Sequence, residues 1–257
     1  MEYLIICLAA FLASGLTFFS GFGLGTILMP VIAIFFPVSI AISVTAVVHL
    51  FNNFFKLSLV GSKSDFRIVS LFGLPAVGAS FLGAQFLTRI SSFTPLFSYS
   101  LFGIYRELDL INLVIGGLII FFLWLDLTEL YKNISFPLKL MPLGGILTGF
   151  FGGLSGHQGA FRSMFLLNLN LSRESYISTG ITIAVMVDVA RLFVYSSNIR
   201  LISVDLNWPL MLAACLSAFA GAFMGFKLIK KITIKFIRTL VSWLLLVLAL
   251  ALIAGFV

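Results

Sequence analysis

Two glycine-rich stretches contain the residues whose types and spacing could do chemistry. Residues 20–25 read SGFGLG, and residues 155–160, which follow 135 positions later, read SGHQGA. A glycine inside a helix costs about 1 kcal/mol relative to alanine, so each stretch predicts a break between two half-helices. A half-helix that begins at a break directs unsatisfied N–H groups and a partial positive charge towards it. Two such breaks predict a binding site for a small anion.

We expect the substrate to bind to the backbone and side chains of both breaks. The hydroxyls of Ser20 and Ser155 could donate to an anion, and capping of the backbone is nearly as good an explanation for them. His157 and Gln158 could donate as well, and His157 could titrate near neutral pH. Glycines permit close approach to the backbone, and the candidates are Gly21, Gly23, Gly25, Gly156 and Gly159.

Charged residues inside predicted membrane segments are candidates for function. Asp188 and Arg191 are three residues apart, so they share a helix face and could pair, and Arg191 is also a candidate anion ligand. Arg162 lies one turn into the second half-helix, where its guanidinium could hold an oxyanion. Asp188 and His157 are the candidates for carrying a coupling proton. Lys56 lies near a segment end, so its ammonium could instead reach the membrane surface.

Neutral polar residues accompany Lys56. Asn53 is a candidate substrate ligand, and it and Asn52 could also hydrogen-bond to a neighbouring helix. His49 lies one turn earlier, where bonding between helices is the favoured interpretation.

Composition assigns the chain to the membrane. It has 257 residues, of which 61% are hydrophobic and 10% are charged, and its mean hydropathy is +1.17. Soluble domains carry about 25% charged residues. The apolar runs are continuous rather than alternating, which favours helices over a β-barrel. The net charge of +7 is better explained by basic cytoplasmic loops than by nucleic-acid binding. Cys7 and Cys215 show no motif spacing, so we expect no disulfide, metal site or cofactor.

Spans of about 20 apolar residues predict an all-α polytopic membrane protein built from two repeats. The first repeat, 1–131, has a broken segment at 3–36 and transmembrane helices at 38–60, 68–87 and 111–131. The second repeat, 140–257, has a broken segment at 140–169 and transmembrane helices at 174–196, 208–229 and 232–257. The stretch 88–110 is semi-polar and has no assigned element.

A shift of 135 residues relates the repeats without gaps, so that Asn53 matches Asp188 and Lys56 matches Arg191.

The charge of the loops indicates whether the broken segments cross the membrane. If the broken segments cross the membrane, the loop cations are distributed five to eight between its two sides. If they are re-entrant hairpins, the distribution is ten to three, which is the asymmetry expected from the positive-inside rule. Each repeat then crosses three times, so the repeats are inverted. We expect both termini outside the cytoplasm and the chain in the inner (plasma) membrane.

Residues 21–30 (GFGLGTILMP) and 147–159 (LTGFFGGLSGHQG) resemble the two glycine-rich signatures of the TauE/SafE sulfite exporter family, also called the toluene-sulfonate uptake permease family. The resemblance covers nearly the whole length. It implies proton-coupled transport of small sulfur oxyanions or organosulfonates. The chain departs from the pattern at His157 and Gln158, which replace an apolar residue and a glycine, at Arg162, which replaces an aliphatic residue, and in having no proline after the second break.

The sequence therefore predicts a secondary transporter that exports sulfite or a related organosulfonate by alternating access around a midplane site. A passive anion channel and a transporter of another small organic anion remain alternatives. An intramembrane enzyme is disfavoured, because Ser155 and His157 are the one nearby nucleophile–base pair and their spacing is not a recognised arrangement. The expected partners are the anion, protons and the lipid bilayer, and the sequence leaves open whether the protein is a homo-oligomer.

Overall fold

A computed structural model describes residues 1–18, 24–60, 63–101, 104–128, 136–197, 207–228 and 234–256. Most of these residues lie in helices. The helices are α1 (Glu2–Leu16), α2 (Leu24–Ala33), α3 (Val38–Val60), α4 (Phe66–Ile90), α5 (Leu110–Thr128), α6 (Met141–Ser155), α7 (Gly159–Leu166), α8 (Arg173–Ser197), α9 (Trp208–Leu228) and α10 (Ile234–Ile253). A π-helical turn at Val69–Gly73 lies within α4, and a 3-10 turn at Leu138–Leu140 leads into α6.

The expected multi-pass helical membrane protein is confirmed. By length and composition, five helical segments in the described ranges could span a bilayer, and shorter apolar helices lie beside them. The long segments are Val38–Val60, Phe66–Ile90, Leu138–Ser155, Arg173–Ser197 and Trp208–Lys227.

The second predicted break separates α6 from α7. Gly156 ends α6 in the left-handed conformation, with φ of 81°, and its N–H donates to the carbonyl of Gly152 at 3.0 Å. This conformation disfavours any residue with a side chain. Helix α7 resumes at Gly159 without a side-chain cap.

The first break falls between α1 and α2. Three of its predicted ligands, Ser20, Gly21 and Gly23, lie outside the described residues. Gly25 is described and lies in the first turn of α2.

Glycines bring two pairs of helices into close contact. A Cβ on Gly149 of α6 would stand 2.0 Å from the carbonyl oxygen of Ala76 in α4, and one on Gly221 of α9 would stand 2.0 Å from that of Phe11 in α1. Such small-residue contacts are a common way for membrane helices to associate. The contacts between α4 and α6 advance together, from Phe72 with Gly145 to the Ala76 contact, so these two helices run parallel.

Helices α3 and α8 meet at the centre of the bundle and run antiparallel. Near the start of α8, the Ser178 hydroxyl contacts the hydroxyl of Ser64 at 2.8 Å, just after the end of α3. Further along α8, Asp188 accepts a hydrogen bond from Asn53, within α3, at 3.3 Å. The contact with Ser64 therefore fixes the end of the bundle at which α8 begins.

The semi-polar stretch that the sequence left unassigned contains a β-hairpin. Strands β1 (Phe97–Leu101) and β2 (Ile104–Leu108) pair antiparallel. The Tyr99 hydroxyl donates to the carbonyl of Ala254, and the Arg106 guanidinium lies 4.7 Å from the centre of the Phe256 ring. The all-α description is therefore wrong for this stretch, whose strand pair packs against Ala254 and Phe256.

Candidate functional site

A buried carboxylate holds the centre of the bundle together. Oxygen Oδ1 of Asp188 accepts from Arg191 Nε at 3.0 Å and Nη2 at 2.7 Å, and from Gln158 Nε2 at 2.9 Å. Oxygen Oδ2 lies 2.6 Å from His49 Nδ1 and 3.3 Å from Asn53 Nδ2. We call these five residues the Asp188 network. Because an isolated charge in the membrane is costly, this dense set of donors explains how a carboxylate with 0% exposure is accommodated.

Three elements position the network. Helix α3 presents His49 and Asn53, which are one turn apart on one face; the second break presents Gln158; and α8 presents Asp188 and Arg191. At 2.6 Å from a carboxylate, His49 Nδ1 must carry a hydrogen and donate it. The side-chain amide of Asn53 therefore donates to the carboxylate rather than to the imidazole.

Arg191 connects this network to the end of α6. Its Nη1 donates to the carbonyl of Gly152 at 3.4 Å and would lie 2.9 Å from a Cβ on Gly156. The neighbouring Tyr195 hydroxyl donates to the carbonyl of Gly153. Glycine is thus required at position 156 both by the left-handed backbone and by the guanidinium against it.

A second guanidinium lies on the other side of Gln158. Arg162 Nη1 donates to Gln158 Oε1 at 3.3 Å, and Arg162 is 4% exposed. Its Nε would lie 3.5 Å from a Cβ on Gly180, near the start of α8. The side chain of Gln158 therefore bridges Arg162 and Asp188 with its two polar atoms, as a glycine at this position could not.

His157 has one ring nitrogen that is bonded and one without a partner. Its Nδ1 lies 3.0 Å from Ser155 Oγ, and that oxygen lies 3.1 Å from the carbonyl of Phe151. A hydroxyl has one hydrogen, so both contacts are hydrogen bonds if Ser155 donates to Phe151 and accepts from His157 Nδ1–H. The imidazole stacks on Phe122 at 5.1 Å between ring centres. Its Nε2 is buried and has no hydrogen-bond partner in the described ranges.

The helix that follows the first break approaches the second break. A Cβ on Gly25 would lie 3.3 Å from the carbonyl oxygen of Gly156 and 3.9 Å from Thr45 Cγ2. Thr45 is 2% exposed, and its hydroxyl has no hydrogen-bond partner in the part of the chain that is described. The start of α2 thus lies against the end of α6.

Lys56 is buried rather than extended to the membrane surface. It is 5% exposed, and its ammonium lies 5.6 Å from the centre of the Phe18 ring, beside the first break. The alternative that it reaches the surface is therefore wrong. Among the described buried side chains, Arg162 and Arg191 carry a fixed positive charge, Lys56 is a further basic group, and Asp188 is the one carboxylate.

The structure brings most of the candidate residues together. Those in or next to the Asp188 network or in the facing breaks are Gly25, Asn53, Ser155, Gly156, His157, Gln158, Gly159, Arg162, Asp188 and Arg191. His49 and Thr45 were not predicted as site residues. His49 shares a helix face with Asn53, which was a usable signal, whereas Thr45 is an ordinary residue in an apolar run.

Comparison with known proteins identifies the family. Searches among curated proteins and among solved structures gave no match. The model of the family described as sulfite exporter TauE/SafE matches residues 6–252. Because this match covers nearly the whole chain, the protein belongs to the TauE/SafE sulfite exporter family of membrane transporters.

Proposed function

We propose that this family member is a secondary transporter that exports sulfite or a related organosulfonate through a site between its two breaks. The approach of Gly25 to Gly156, inside a buried cluster with more cations than carboxylates, carries the proposal. A bound anion would offset that excess positive charge, which is unfavourable in a medium of low dielectric constant. Arg162 and Arg191 supply the guanidinium groups, whose planar donors fit oxyanions.

Two inverted repeats, each a re-entrant hairpin and three crossings, account for the packing of the helices. Helix α6 runs parallel to α4, which starts just after Ser64, and Ser64 contacts the first turns of α8. Helices α6 and α8 therefore start at one end of the bundle, which supports an α6–α7 element that returns to its side of entry.

The first half supports the same arrangement at the opposite end. The Tyr3 hydroxyl donates to Asn207 Oδ1 at 2.6 Å, so α1 and α9 start together. Helix α3 runs antiparallel to α8 and therefore starts where α9 does, so the α1–α2 element also returns to its side of entry. The positive-inside rule then assigns both termini to the outside of the inner membrane.

His157 is the residue best suited to carry a coupling proton. Its Nδ1–H is held by Ser155, which leaves Nε2 as an acceptor. A proton bound there gives an imidazolium, which burial and the positive charge of Arg191 disfavour, so the proton would need the bound anion beside it. Asp188 is less suited, because protonation would weaken its bonds to Arg191 and His49.

Alternating access would follow from a movement of one half against the other at the contact between α3 and α8. Asn53 of the first half and Asp188 of the second half meet at this contact. The Ser155–His157 pair supports a binding role rather than an enzyme, because the serine donates its hydrogen to Phe151 and the imidazole nitrogen facing it is the protonated one.

Flux measurements in liposomes test the proposal. Wild-type protein should move sulfite or methanesulfonate with saturation, and an imposed pH gradient should change the rate. Arg162→Gln should lower flux at least tenfold, because it removes a buried guanidinium. Arg67→Gln, on an exposed residue, is the matched control and should leave flux unchanged.

Three outcomes would contradict parts of this proposal. Absence of sulfite and sulfonate flux while another solute moves would refute the substrate class. Flux that does not saturate would indicate a channel. Flux in His157→Asn protein that still responds to the pH gradient as the wild type does would remove His157 as the proton carrier.

A further inference from the structure

Thr45 departs from a pattern that several buried hydroxyls in the helices follow, and Thr148 and Ser163 depart from it as well. A buried serine or threonine in a helix usually donates to a carbonyl three or four residues earlier. Ser43 donates to Ser39 at 2.9 Å, Ser155 to Phe151 at 3.1 Å and Thr182 to Ser178 at 2.9 Å. Thr45 lies on the same helix as Ser43 and is as deeply buried, yet its Oγ1 has no hydrogen-bond partner among the described residues.

A buried hydroxyl without a partner is unfavourable, by roughly 1–3 kcal/mol. Apolar residues surround Thr45 in the sequence of α3, and valine or alanine would avoid this cost. A partner that is bound only at times would satisfy the hydroxyl, and Thr45 lies against Gly25, which faces the carbonyl of Gly156.

The position of Thr45 indicates what that partner is. Its methyl carbon Cγ2, which shares the Cβ atom with the hydroxyl, and the carbonyl oxygen of Gly156 both lie within 4 Å of the point where a Cβ on Gly25 would stand. Gly156 in turn lies against the Arg191 guanidinium. Thr45 therefore stands where the first turn of α2, the second break and a buried cation come together.

The matching position in the other half is built differently. A shift of 135 residues takes Thr45 to Gly180, and a Cβ there would lie 3.5 Å from Arg162 Nε. The first half thus places a hydroxyl where the second half leaves room for a guanidinium. The Asp188 network connects these two places, because Gln158 contacts Arg162 on one side and Arg191 lies against Gly156 on the other.

We propose that Thr45 is a substrate ligand, and that its hydroxyl donates a hydrogen bond to one oxygen of the bound sulfur oxyanion. This inference rests on the function proposed above and adds a specificity-determining residue to the same site. A sulfite or sulfonate group has three oxygens, so one can accept from Thr45 while the others face N–H groups and guanidinium groups. Selection among anions then depends on an oxygen at the position of this hydroxyl.

Substitutions that separate the hydroxyl from the shape of the side chain test the inference. Thr45→Val keeps the shape and removes the hydroxyl, and Thr45→Ser keeps the hydroxyl. Binding of sulfite and of methanesulfonate to purified protein, together with saturation curves in liposomes, gives the affinity. We expect Thr45→Val to weaken binding about tenfold or more and Thr45→Ser to stay within about threefold of the wild type. Ser43 lies two residues before Thr45, and its hydroxyl already donates to the backbone carbonyl of Ser39. Ser43→Ala should therefore leave affinity unchanged.

Thermal unfolding without substrate separates binding from a structural role. Thr45→Val should unfold at the wild-type temperature or higher, because it removes a buried hydroxyl that lacks a partner. A lower unfolding temperature, or wild-type affinity in Thr45→Val protein, would overturn the inference and leave the proposed function standing. If the wild type binds neither anion, the proposed function itself fails, and the two failures are thereby distinguished.

Discussion

Asp188→Asn is the substitution for which the structure predicts the largest effect. Asparagine keeps the size of the side chain and removes its charge. Arg191, which is 1% exposed, then loses the carboxylate that accepts from its Nε and Nη2 at 3.0 and 2.7 Å. The 2.6 Å contact with His49 also loses its charge. Removal of one partner from a buried ion pair costs about 3–5 kcal/mol because the other charge is left uncompensated, and we expect a loss of that size in the free energy of unfolding.

A double-mutant cycle isolates the ion pair from other consequences of the change. Arg191→Gln alone should also destabilise, because it leaves Asp188 with the neutral donors Gln158 and Asn53 and with His49. The double variant should be less destabilised than the sum of the two single variants, with a coupling energy of about 1–3 kcal/mol.

Unfolding by SDS in mixed micelles, followed by circular dichroism, measures these free energies. Lys63→Gln is the control, because its ion pair with Glu174 has side chains 61% and 60% exposed and exposed pairs contribute about 0–1 kcal/mol. A loss below about 1 kcal/mol in Asp188→Asn, or strictly additive single variants, would refute the view that this pair holds α8 in place.

Two further substitutions test the packing around the site. Gly149→Ala should destabilise by more than about 2 kcal/mol, because the added Cβ would stand 2.0 Å from a carbonyl of α4. In Gly78→Ala the added Cβ meets nothing within 4 Å, so stability should stay unchanged or rise by up to about 1 kcal/mol. SDS titration of both proteins checks this, and equal losses of stability would contradict the close contact. Tyr195→Phe should lower the free energy of unfolding by about 1–3 kcal/mol in the same titration, because it leaves a buried carbonyl of α6 without its donor. Wild-type stability in this variant would show that the hydrogen bond contributes nothing.

Local sequence signals were sufficient for most of the helices and for part of the site. Continuous apolar runs define membrane helices because the backbone must satisfy itself in lipid, and the second break was visible because glycines disfavour a helix. The spacing of Asp188 and Arg191 indicated their contact, which the structure contains. The strand pair of β1 and β2 was missed, although the alternation in the first strand, FSYSL, is a period-two signal. A criterion of about 20 apolar residues per span does not detect strands of five residues.

Contacts between distant helices could not be read from local patterns. His49 meets Asp188 across 139 residues, and only the antiparallel packing of α3 against α8 brings them together. Thr45 resembles any threonine in an apolar helix until the absence of a partner for its hydroxyl among the described residues is known. Which polar residues are functional thus depends on tertiary packing.

The contact between Asn53 and Asp188 gives the proposed inverted repeat a consequence of its own. These residues are 135 positions apart, the repeat shift, so a two-fold axis relating the halves would pass between them. Two carboxylates facing each other on such an axis would repel, whereas an amide and a carboxylate form a hydrogen bond and leave one negative charge for Arg191.

Asn53→Asp tests the value of that asymmetry. It would place a second carboxylate where the amide now lies, 3.3 Å from Asp188, and would reduce the positive charge that the site offers to an anion. We expect sulfite affinity to fall at least tenfold, whereas Asn53→Ala, which removes the hydrogen bond without adding charge, should lower it less. If both variants lower affinity equally, the hydrogen bond matters and the charge does not. In that case the excess of buried cations is not what attracts the anion.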